Sequence, residues 1–70
     1  MANAYNNIYM VTGSEDGPLG MFSSYKKAMV EAKKYGGEDA VVDGKPSDRN
    51  TDVQSLNNNH YATIEKWYIW

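Results

Sequence analysis

A chain of 70 residues without cysteine has room for one core and no disulfide to brace it, so a second domain is not expected and self-association is a natural source of extra stability. A formal charge of −2 and an isoelectric point near 5.1 weigh against a general phosphate-binding surface. Hydrophobic residues make up 41% of the chain, yet no apolar run reaches the length of a membrane span, and residues 1–7 lack the basic and apolar parts of a secretory signal, which points to a cytoplasmic protein.

In chain order, Ile8, Tyr9, Met10, Val11 and Thr12 form a β-branched and aromatic run between Asn7 and Gly13, the pattern of a strand. Residues 13–18 are dense in turn formers, and a short second strand over 19–22 pairs back as a hairpin. Ser23 and Ser24 offer N-caps to a helix over about 24–35. There Tyr25, Ala28, Met29 and Ala32 fall on one stripe and Lys26, Lys27, Lys33 and Lys34 lie away from it. Gly36 and Gly37 end it, since glycine tolerates a left-handed cap. Residues 39–43 read as a third, short strand. Residues 44–59 are rich in Asn, Asp and Ser, with Val53 and Leu56 their only sizeable apolar residues, and read as a long mobile loop, either a contact surface or simply solvated.

Residues 61–70 form the last strand and hold both tryptophans. Beyond Lys66, four bulky residues in succession, Trp67, Tyr68, Ile69 and Trp70, are large on both faces, which a sheet covered by one helix cannot bury entirely. Either the end is a two-sided interior strand or it meets another molecule, and Trp67, Tyr68, Trp70 and Tyr61 are the candidate partner-binding residues.

Catalytic signals are absent. His60 is the one histidine, with no acidic partners at ligand spacing, so no metal site and no cofactor is expected. Glu15 and Asp16 sit in a turn where carboxylates are solvated, and Gly13, Gly17 and Gly20 do not match a phosphate-binding glycine loop. The candidate anion-binding set is Lys26, Lys27, Lys33 and Lys34, diluted by Glu31, Glu38 and Asp39, so nucleic-acid binding ranks low.

The run Gly20-Met21-Phe22-Ser23-Ser24, then Lys27-Ala28, and the final Ile64-Glu65-Lys66-Trp67 resemble small α+β domains of bacteriophages and bacteria with a G-x-F-S-S-x-x-K-A helix start and a terminal I-E-x-W strand. The likeness spans most of the chain outside residues 44–59. It implies a structural role for Phe22 behind the helix, Ser23 or Ser24 as cap and Trp67 across the sheet, and it implies the setting of phage accessory proteins that inhibit or modulate a host protein. The expected fold is therefore α+β, ββα(β)β, a single domain over residues 1–70. Three or four antiparallel strands carry one helix on one face, with a core of Ile8, Met10, Leu19, Phe22, Ala28, Met29, Ala32, Ile64 and Tyr68. The expected function is non-catalytic binding to a host protein such as a defence or regulatory component, with homodimerisation through the last strand. The alternatives are an oligomer that sequesters a small ligand or nucleotide and, lower, a nucleic-acid module.

Overall fold

Six elements follow one another in the computed structural model, which describes residues 6–56 and 60–69: β1 (Asn6–Gly13), β2 (Gly17–Phe22), α1 (Tyr25–Gly36), β3 (Val41–Asp43), β4 (Asn50–Gln54) and β5 (Tyr61–Ile69). The strands join one antiparallel sheet in the order β2-β1-β5-β4-β3. The α+β class with a single helix therefore holds, and among the described residues the strand count is five, not three or four.

The extra strand is β4, inside the stretch that reads as a polar loop. Its side chains alternate: Asn50, Asp52 and Gln54 are exposed, whereas Thr51 and Val53 are buried. Two inward residues suffice for a strand with one solvated face, and they leave little hydrophobic signal in the sequence. The rest of the stretch is two connections. In residues 44–49 the Asp48 N–H donates to the Lys45 carbonyl at 2.9 Å and the Lys45 N–H to Asp48 Oδ2 at 3.1 Å, a pinned turn between β3 and β4. In residues 55–60 the Ser55 N–H donates to the His60 carbonyl at 3.0 Å, and residues 57–59 lie outside the described residues.

The helix forms where the sequence places it. Ser24 stays extended and its Oγ accepts the Lys27 N–H at 3.1 Å, an N-cap that satisfies one of the orphan donors of the first turn. Gly37, at φ 102°, closes the other end by donating its N–H to the Lys33 carbonyl at 2.7 Å. Lys33 and Lys34 in the last turn suit the negative end of the helix dipole.

Helix α1 lies on β5, β1, β2 and β4 and does not reach β3. Where helix and sheet meet are the buried residues Tyr9, Val11, Ala28, Ala32, Val53, Ala62 and Ile64, with Leu19, Phe22, Tyr25, Met29, Tyr35 and Ala40 packed around them. The expected core is correct at Leu19, Phe22, Ala28, Met29, Ala32 and Ile64. It is wrong at Ile8 and Met10, because β1 is apolar on both faces and the helix takes the face of Tyr9, Val11 and Gly13. Gly13 explains the choice: a Cβ there would lie 2.7 to 3.0 Å from the Tyr35 ring, so only glycine lets that ring settle on the strand. Tyr35 in turn accepts the Glu15 N–H on its hydroxyl at 2.9 Å, tying the helix end to the β1–β2 turn. At the other end Tyr25 packs edge-on to Tyr9, ring centres 5.8 Å apart, and donates its hydroxyl to Thr51 Oγ1 at 3.1 Å, which supplies the buried threonine with a partner. The helix thus begins at the level of Tyr9, and β5 runs on past it. Tyr68, expected in the core, is exposed for that reason.

Candidate functional site

Strand alternation sorts the sheet into a helix side and an open side. Register places Ile8 directly opposite Trp67, Met10 opposite Met21 on one neighbour and opposite Glu65 on the other. All of these share the face away from the helix, since Tyr9, Val11 and Ile64 between them are buried beneath it. Directly opposed side chains on one face stand about 4.5–5.5 Å apart at Cβ. Ile8, Met10, Met21 and Trp67 therefore form one contiguous apolar patch, in which Met21 is 63% and Trp67 52% exposed. Ile8 and Met10 are half-buried.

Beside the patch the open side turns acidic. Glu65, Asp52 and Asp43 occupy it, with Asn50, Gln54, Thr12 and Thr63 between them, and no Lys or Arg stands at any described strand position on this face. Asp52 accepts the Thr63 hydroxyl at 3.2 Å on Oδ1. Tyr61 is exposed on the same face at the far end of β5, six residues or about 20 Å from Trp67.

The expected partner-binding residues are thus split. Trp67 and Tyr61 share the open side, Tyr68 projects from the helix side of β5, and Trp70 lies outside the described residues. Sequence reasoning missed Met21, Met10 and Ile8 as surface residues. The signal that points to them is pairing: once β1 is seen to be apolar on both faces, whichever parity the helix leaves free becomes a patch.

Between Trp67 and the start of β4 runs a groove of about 270 Å³ lined by Arg49, Asn50, Glu65, Lys66, Trp67 and Tyr68. It exists because β5 outruns β4. Register continues one step beyond Asn50, with the Lys66 N–H on the Arg49 carbonyl at 2.8 Å. The Lys66 ammonium lies 5.4 Å from the centre of the Tyr68 ring, a cation–π contact.

The expected anion-binding lysines all lie on the helix, away from the sheet. Lys26, Lys27 and Lys34 are exposed and Lys33 half-buried, Lys34 is 3.9 Å from Glu31, and Val30 stands among them 55% exposed. Trp67, the natural stacking residue for a base, is on the opposite side of the molecule. The helix lysines and the ring on which a base of a single strand would stack are therefore apart.

His60 packs its ring 5.6 Å from that of Tyr35, and its Nε2 is 3.5 Å from Glu15 Oε1. Its buried Nδ1 has no hydrogen-bond partner among the described residues. No group of three His, Cys, Asp or Glu side chains among the described residues can hold a metal ion. Among the same residues no helix is long and apolar enough to cross a membrane. No protein-family model matches the chain, and no match is found among curated proteins or solved structures.

Proposed function

We propose that the protein acts without catalysis, by stoichiometric binding of another protein on the open face of its sheet. The observation that carries this reading is the patch of Ile8, Met10, Met21 and Trp67, apolar side chains brought together from three elements of the fold and left uncovered. Contiguous exposed apolar surface rimmed by polar groups is what a contact site requires, and a half-exposed tryptophan supplies the anchor that dominates such contacts. In the setting implied by the motif resemblance, the bound protein is a host component that the contact inhibits or modulates. The test is affinity capture from producing cells with the wild type, Trp67→Asp, Met21→Lys and the control Lys27→Glu. A single co-purifying protein in stoichiometric amount, lost from both open-face variants and kept by the control, is the expected outcome. Equal capture by all four would refute it.

A second reading, sequestration of a small planar anion, is favoured by the groove at Trp67, where Arg49 and Lys66 stand beside two exposed rings. Its volume falls just below the range usual for ligand pockets, roughly 300–1,000 Å³. A nucleoside monophosphate binding there raises the melting temperature of the wild type by mass action and does so less for Arg49→Ala. A flat thermal-shift series rejects this second reading and leaves the first untouched.

A further inference from the structure

Charge is sorted through this molecule, and so is exposed apolar surface. On the open sheet side the patch of Ile8, Met10, Met21 and Trp67 adjoins Glu65, Asp52 and Asp43, with no described Lys or Arg among them. On the opposite side the helix presents the reverse: exposed Val30 framed by Lys26, Lys27, Lys33 and Lys34, above a shallow depression bounded by Val30, Lys33, Lys34, Gly37 and Glu38. One surface is apolar with carboxylates, and the other is apolar with four lysines that outnumber Glu31 and Glu38 beside them. Each is the chemical complement of the other.

We infer that a second copy of the chain occupies the open sheet face, docking through the outer side of its helix so that copies stack head to back. The contact would seat Val30 of one copy on the Trp67 and Met21 patch of the next, with lysine stems lying along apolar surface and their ammonium groups reaching Glu65 and Asp52. A helix laid on the bare face adds a third layer, so that each sheet lies between its own helix and that of the neighbouring copy. The dimensions agree: a 12-residue helix is about 18 Å long, and β1, with 8 residues, spans about 26 Å. The competing self-contact, sheet face on sheet face, would bring the carboxylate-bearing surfaces of two copies toward each other, and charge opposes it.

Two properties follow from the geometry. A helix strip of this size covers well under the roughly 800 Å² per partner of a standard interface, so the stacking is weak and concentration-dependent. The two surfaces in contact are different, so association is heterologous and propagates beyond a dimer, as a ring or a filament. The proposal rests on the reading of the open face as a contact surface, and because the stacking is weak, a more tightly bound partner protein displaces the neighbouring copy from that face.

Sedimentation of the full chain over a concentration series up to about 1 mM, at low and high salt, reads both properties. The wild type is expected to grow past a dimer as concentration rises. That growth should weaken tenfold or more between about 0.02 and 0.5 M salt, because exposed charges carry the pairing. Trp67→Asp damages one surface and Val30→Glu the other, so each alone is expected to stay monomeric. Mixed in equal amounts they still hold one intact surface each, and they should form a 1:1 heterodimer and nothing larger. Lys27→Glu with Lys34→Glu repeats the helix-side test without touching Val30, and circular dichroism checks that every variant is folded. A wild type that stays monomeric overturns the proposal, as does one that stops at a dimer unaffected by Val30→Glu, which would mean face-to-face pairing. A monomeric wild type that still captures a partner through Trp67 would overturn the stacking alone and leave the proposed function standing.

Discussion

Gly13 is the residue on which helix and sheet close. Its missing side chain lets the Tyr35 ring lie on β1, and any Cβ would press against that ring at 2.7 to 3.0 Å. Gly13→Ala is therefore expected to cost about 1–3 kcal/mol, the usual penalty for overpacking a tight site, read by urea unfolding. A neutral result would mean that Tyr35 does not rest there. Ile64, 1% exposed beneath the helix, is expected to cost about 2–5 kcal/mol on truncation to Ala, from lost burial and the cavity left behind. Ser24→Ala removes the N-cap and should cost about 0.5–2 kcal/mol by the same measurement. At this scale the helix stripe of Ala28, Met29 and Ala32 was legible in the sequence, because period and polarity agree there. The buried pair Tyr9 and Val11 was not. Ile8 to Val11 is apolar at every position, and only a long-range contact, Gly13 under Tyr35, decides which parity faces the helix.

β4 is the element that separates the observed sheet from the expected one. Asn50, Thr51, Asp52, Val53 and Gln54 look like loop by composition, yet they pair on both sides, with β5 along five residues and with β3 along three. The amides of Thr51 and Val53 are accordingly expected to exchange with deuterium as slowly as those of Val11 and Ile64, since all sit within the body of the sheet. Exchange at the rate of an unstructured peptide would show that the stretch is a loop after all. Composition could not reveal β4 because a strand with one wet face needs only its inward residues to be apolar, and one of the two, Thr51, is itself polar and relies on the Tyr25 hydroxyl. β1, β2, β5 and the helix were legible by contrast: each is long or strongly patterned and bounded by turn residues.

Among the described residues of the molecule, one helix covers one face of a five-stranded sheet. That imbalance was visible in the sequence as excess aromatic bulk in the last strand. Its location on a shared patch with Ile8, Met10 and Met21 was not, because the patch is assembled by register across β2, β1 and β5. Trp67→Ala and Met21→Ala are expected to change stability by no more than about 0.5 kcal/mol, as surface substitutions do, while weakening binding at the open face. A large loss of stability from either would mean that these side chains belong to the core.

The claim beneath both the proposed function and the stacking is that the Ile8, Met10, Met21 and Trp67 face of the sheet is the open one. Methyl NMR of the methionines, recorded with a soluble paramagnetic agent, tests it directly, because Met10 and Met21 lie on that face and Met29 is on the helix, packed against the core. The expected result is strong broadening at Met21, intermediate broadening at Met10 and the least at Met29. Met10 and Met21 protected as fully as Met29 would put the helix over their face and contradict the claim.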